Sequence, residues 1–170
     1  TTRPGLSWLL FVAVLFGWHD PAAYSMAQGD GLIHDLEHIS FFGTAMLFWW
    51  RVVGAGPHIH GKNSLLSRIG YVLAVVPPNM FLGVAISLSE SPIYTYYLSV
   101  PRLYGISVMD DQTMAGLIMW IPGSMMYILA ALVLVARLFS DADRQKLGRQ
   151  NNGEQALRRT PHPPRLASVE

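Results

Sequence analysis

The sequence has no cysteine at all. That excludes disulfides, thiolate metal sites, cysteine nucleophiles and cysteine-ligated iron–sulfur clusters together. Charge is scarce as well: Asp, Glu, Lys and Arg make up 14% of 170 residues, where an average soluble domain carries about 25%. The formal net charge is +1, so no global field recruits nucleic acid, and none is expected as a partner. Hydrophobic types account for 51%. So apolar a composition excludes a disordered chain, argues against an ordinary soluble domain, and points to the bilayer as solvent.

Four apolar stretches cover residues 5–18, 33–53, 69–88 and 112–136. Three of them reach the roughly 20 residues that a helix needs to cross the hydrocarbon core, and the first is shorter. The expected fold is therefore all-α: an integral membrane bundle of about four transmembrane helices over residues 1–140. Pro77-Pro78 and Pro122 fall inside the third and fourth spans. Each should kink or break its helix and leave carbonyls for a neighbour to satisfy. Gly116 and Gly123 lie seven apart on one face of the fourth span, which permits close helix contact. Residues 141–170 read as a polar, basic and largely disordered tail. The chain opens on Thr1 rather than Met, so a removed initiator or a trimmed start is expected.

The basic residues sort by connection. Arg3, Arg51, Lys62, Arg68, Arg137, Arg144, Lys146, Arg149, Arg158, Arg159 and Arg165 fall on one side, and only Arg102 on the other. By the positive-inside rule both termini are expected in the cytoplasm, with the first and third connections outside.

The outer ends then collect the unusual residues. His34-Asp35-Leu36-Glu37-His38 opens the second span. His34 and His38 are one helical turn apart on the same face, a spacing at which two imidazoles can clamp one metal ion. Glu37 lies beside that face, as a ligand or as acceptor for the other ring N–H of an imidazole. His19 ends the first span on the same side, and Asp110-Asp111 opens the fourth. They offer a third imidazole and an oxygen ligand. Each has a plainer role too: an interfacial histidine, a helix-capping acidic pair, a carboxylate hydrogen-bonded across the bundle. Met109, Met114 and Met119 lie near that level and are soft potential ligands, though methionine in an apolar helix usually packs. His58 and His60 in the inner loop are two ligands where a structural site needs four. Without cysteine, imidazole-dominated ligation suits copper or zinc.

Three blocks carry a resemblance. The first is Trp18-His19, Pro21, Tyr24 and Ala27. The second is His34, Glu37-His38 and Phe41, followed by Phe48-Trp49-Trp50. The third is Asp111-Gln112, Ala115-Gly116, Met119-Trp120 and Gly123. Their order and spacing resemble the CtaG-type cytochrome c oxidase assembly factors, a bacterial membrane family linked to copper supply. Asp20 departs from the pattern, standing where an apolar residue is more typical. Relatives usually have more spans, so four implies a short member or a trimmed chain.

The resemblance implies an accessory factor for a haem–copper oxidase in the bacterial cytoplasmic membrane, not an enzyme. Copper would bind at the outer face through His19, His34, Glu37, His38 and Asp111 and pass to a membrane partner such as cytochrome c oxidase subunits. Three other readings remain in view. One is a structural subunit of a respiratory complex without its own metal. Another is a zinc peptidase of the H-x-x-E-H pattern, with Glu37 as base. The last is a bis-histidine haem bundle, for which His19 is the only plausible partner of His34 or His38.

Overall fold

The computed structural model describes residues 4–54, 64–102 and 105–159. His58, His60 and Lys62 of the inner loop, Arg3, and Arg165 of the tail lie outside the described residues. Six α-helices follow in order: α1 (Pro4–Trp18), α2 (Pro21–Gly29), α3 (Gly31–Val53), α4 (Leu65–Leu73), α5 (Val76–Ser87) and α6 (Val108–Arg159). One turn of 3-10 helix, Thr95–Leu98, lies between α5 and α6. No strand occurs among the described residues.

The first connection is itself a helix. Asp20 starts α2: its carboxylate accepts from the Ala22 and Ala23 amides at 3.0 and 3.2 Å, and Pro21 stands at the first helical position. An acceptor side chain followed by proline is a strong helix start, because each satisfies or removes an unpaired N–H. The new helix leaves α1 at 73°. Asp30 repeats the device for α3, accepting from the Leu32 and Ile33 amides at 2.8 and 3.2 Å. α3 ends at Gly54, whose φ of 71° is left-handed backbone that glycine adopts without strain. Nε of Arg68 donates to the Val52 carbonyl at 2.8 Å, putting a cation at the negative end of α3.

Residues 65–87 and 108–155 are long and apolar enough to cross a membrane, and the bent α1–α2 pair makes a third if counted as one. α3 has the length, 23 residues. His34, Asp35, Glu37 and His38 at its start and Arg51 near its end reduce its apolarity.

The prolines act differently from each other. Pro77-Pro78 lie in the first turn of α5, and the helix is interrupted just before them at Ala74–Val75. Their rings would clash with carbonyls four residues back, so the break precedes them. α6 stays one helix through Pro122. Near that proline Asn79 of α5 donates through Nδ2 to the Met119 carbonyl at 3.2 Å and to Ser124 Oγ at 3.4 Å. Asn79 is 5% exposed. We expect Asn79→Leu to lower stability by about 1–2 kcal/mol, since it removes the hydrogen bonds that a buried side chain makes from α5 to α6. Thermal unfolding in detergent measures this, and an unchanged midpoint would show that these bonds do not hold the two helices together.

α6 also runs on where a disordered tail was expected. Residues 141–159 are helical and, through residue 155, fully on the outside. Most of them (Ala, Asp, Arg, Gln, Lys, Leu) are good or neutral helix formers, and they continue an already nucleated helix.

Below the site, Phe11, Phe48, Val52, Val72, Val75, Tyr127, Ala131 and Leu134 form the core. Phe48 is fully buried. It stacks on Phe11 at 4.8 Å and on Tyr71 at 4.9 Å, joining α1, α3, α4 and α6 at one level.

Candidate functional site

The polar end of the bundle holds two separate groups of the expected residues. The first is on α3. Nε2 of His34 and Nε2 of His38 are 3.1 Å apart, with the rings edge to face at 80°. The Asp30 cap starts α3 just ahead of them, so both imidazoles stand on the first turns of a fixed helix. Glu37 is buried, and its Oε2 lies 3.7 Å from Nδ1 of His34, the opposite ring nitrogen. The carboxylate therefore faces the far side of His34 from His38. At 3.7 Å the contact is longer than a hydrogen bond, and a carboxylate there attracts a proton on Nδ1 of His34.

The Nε2–Nε2 distance fits two arrangements. One imidazole can donate to the other. Alternatively both can accept one ion: two nitrogens about 2.0–2.1 Å from a tetrahedral ion are about 3.3 Å apart. The same pair of rings serves either with little movement.

The second group lines a cavity of about 420 Å³ between α1–α2 and α5–α6. His19 and Asp111 are in its wall, with Tyr24, Tyr94, Tyr97, Gln112, Met119 and Asn79 among the other lining residues. Nδ1 of His19 is 2.7 Å from the Leu15 carbonyl. A carbonyl only accepts, so Nδ1 carries the proton and Nε2 is the free lone pair. The ring packs edge-on against Phe41 at 6.2 Å. Asp111 is paired with Arg102, Oδ2 to Nη1, at 3.5 Å.

His34, Glu37 and His38 do not line this cavity. Among the described residues no three His, Asp or Glu side chains form a group that could hold a metal ion. The five residues are thus brought to one end of the molecule but divided between α3, which carries three, and the cavity wall, which carries two. Asp110, their neighbour, stands in the first turn of α6 with Ser107 as its cap: the Asp110 amide donates to the Ser107 hydroxyl at 3.1 Å, and the Asp110 carboxylate accepts from that hydroxyl at 2.7 Å. Met119 lines the cavity, while Met114 is 53% exposed on the outer surface of α6.

Residues that the spacing argument passed over complete the cavity. Gln112 pins the 86–93 segment to α6: Oε1 accepts from the Ile93 amide at 2.7 Å, and Nε2 donates to the carbonyls of Ile86 and Ser91 at 3.3 Å each. Tyr24 and Tyr97 share a hydrogen bond of 2.6 Å between hydroxyls. The Tyr94 hydroxyl donates to the His19 carbonyl at 3.3 Å, and its ring lies 4.2 Å from that of Tyr24. Burial, with Asp20 nearby, pushes the Tyr94 phenol up to about 12, so it stays a neutral donor. Three tyrosines in two connections carry no periodic signal; only folding joins them.

Comparison with known proteins follows the same residues. An uncharacterized protein of Mycobacterium bovis is 30% identical over 121 residues, which cover 69% of this chain and 18% of that protein. An uncharacterized protein of Mycobacterium leprae is 31% identical over 107 residues, covering 61% of this chain and 16% of its own length. The chain thus spans less than a fifth of these relatives. No solved structure matches. The family model for the cytochrome c oxidase caa3 assembly factor matches residues 1–141, which include all three motif blocks and both halves of the polar end. The chain belongs to the cytochrome c oxidase caa3 assembly factor family.

Proposed function

We propose that the protein receives copper at the His34–His38 pair and hands it to a subunit of a haem–copper oxidase within the membrane. The observation that carries this reading is the 3.1 Å approach of two Nε2 atoms on a partly exposed helical surface. Copper is cargo here, not a resident cofactor. Two imidazoles without a third protein ligand beside them hold an ion loosely and leave coordination positions open. An acceptor's ligands enter those positions while the first two leave, so transfer proceeds by exchange. Zinc is the alternative ion, since the same donors suit it.

Glu37 orients His34 in this reading and does not bind the ion. Its buried place behind the ring also weighs against the peptidase alternative. A general base must reach a metal-bound water, and Glu37 faces the other nitrogen. The reading is therefore non-catalytic. The basic residues on one side orient the protein in the bacterial cytoplasmic membrane with the histidine end outside and both termini in the cytoplasm.

Metal analysis of natively purified protein, with identification of the subunits that co-purify, tests the proposal. The expected result is copper at close to one equivalent and an oxidase subunit in the eluate. Oxidase subunits without any metal would favour a purely structural member of a respiratory complex. That outcome would overturn the copper reading.

A further inference from the structure

We propose that the cavity between α1–α2 and α5–α6 binds a membrane-soluble quinol, the para-dihydroxy form of a quinone, and discriminates against the oxidised form. Two atoms of the wall carry the inference. His19 gives the proton on Nδ1 to the Leu15 carbonyl at 2.7 Å, so its Nε2 can only accept. Asn79 donates through Nδ2 to the Met119 carbonyl at 3.2 Å. A carbonyl takes no other arrangement, so the amide is fixed in orientation and Oδ1 can only accept. Both residues line the cavity, and Asn79 is buried. Neither Nε2 nor Oδ1 has a hydrogen-bond partner among the described residues. Neither is among the polar atoms sealed off from contact, which are Trp8 Nε1, the Tyr71 hydroxyl and Arg102 Nε. A molecule in the cavity therefore reaches both.

The occupant must donate at two places. An imidazole lone pair and an amide oxygen carry no net charge, and Asp111, the carboxylate in the wall, is paired with Arg102 at 3.5 Å. Neutral donors fit such a wall better than a cation. Leu15, Ile86, Val108, Ala115 and Met119 make the rest of the lining largely apolar, and the volume of about 420 Å³ admits an organic molecule. Helix levels set the spacing. α1 and α5 run in the same direction, and Phe16 stacks on Phe81 at 6.5 Å. His19 lies three residues beyond Phe16, and Asn79 two residues before Phe81. At 1.5 Å per residue their levels differ by roughly 7 Å. One aromatic ring with hydroxyls at opposite ends bridges such a gap, each O–H donating to one acceptor. The oxidised form carries carbonyls at both ends. It would set oxygen against Asn79 Oδ1 and a lone pair against His19 Nε2, leaving both acceptors without a donor. Neither side chain can turn to donate without abandoning the Leu15 or Met119 carbonyl.

His34 and His38 take no part, so the copper proposal and this one fail separately. The test is native mass spectrometry of the purified full chain without oxygen, given decylubiquinol or decylubiquinone in separate samples. We expect one retained quinol per chain, favoured over the quinone by about tenfold, the worth of one unmatched acceptor. His19→Ala should weaken quinol retention by about the same factor and leave quinone retention where it was. Ala115→Phe, which fills part of the cavity and leaves both acceptors in place, should expel either form. His34→Ala with His38→Ala should leave quinol binding intact. Helical content by circular dichroism confirms that each variant is folded. Failure of the wild type to retain the quinol, or equal retention of the two forms, would overturn the proposal. So would an unchanged preference in folded His19→Ala, or unchanged retention in folded Ala115→Phe.

Discussion

Protein carrying both His34→Ala and His38→Ala is expected to lose stoichiometric copper, falling by more than the 10- to 100-fold that an orienting partner is worth (about that range is typical). The two Nε2 atoms lie 3.1 Å apart, close enough to share one ion. Neither side chain is buried in the core, so the double change should alter stability by no more than about 0.5 kcal/mol. Glu37→Gln gives the graded comparison. It keeps both ligands but weakens the acceptor beside His34 Nδ1, so affinity should fall by about 10- to 100-fold while stoichiometry at high copper survives. His19→Ala should leave the copper content unchanged, because His19 belongs to the cavity wall and not to the α3 pair. Copper content by mass spectrometry across these variants decides the matter. An unaltered content in the double variant would sink the α3 site, and loss in His19→Ala would mean that the two groups act as one.

Gly116→Leu is expected to disrupt the α5–α6 pair, at a cost of about 3 kcal/mol or more. A Cβ at Gly116 would lie 2.6 Å from the Ser87 amide nitrogen and 2.7 Å from the Gly83 carbonyl oxygen. Those are backbone atoms and cannot rotate aside. Gly83 faces the same contact, with Trp120 Cβ 2.8 Å from its own would-be Cβ. The two helices meet through small residues because lipid offers no hydrophobic drive to association, and close van der Waals contact supplies it instead. Gly43→Ala is the matched control: a Cβ there meets nothing within 4 Å. Thermal unfolding in detergent, followed by near-ultraviolet circular dichroism, should show a large fall in the midpoint for Gly116→Leu and almost none for Gly43→Ala. A wild-type midpoint for Gly116→Leu would show that α5 and α6 do not approach this closely.

Asp20 shows how local chemistry can be legible and still be misplaced. As a departure from the family pattern it looks like a loss. In the structure its carboxylate caps α2, a role that Asp followed by Pro announces at sequence level. The first connection then becomes a helix, and that helix brings Tyr24 to Tyr94 and Tyr97. The tail is the opposite case: its polar composition suits solvent, yet helix propensity and an adjoining helix carry it on to Arg159.

Periodicity and composition alone determined the all-helical class, the membrane setting, the close approach at Gly116, and the one-turn pairing of His34 with His38. These depend on neighbours within a helix or on bulk apolarity, which a linear sequence records. Tertiary structure decided what the linear order cannot express. It set α2 at 73° to α1 and turned Glu37 toward the Nδ1 side of His34. It also divided five candidate ligands into three on α3 and two in a cavity wall. Equal depth along separate helices brings residues to one end of a bundle. The rotation of each helix about its axis then decides which of them share a site, and packing at Phe48, Gly83 and Gly116 sets that rotation.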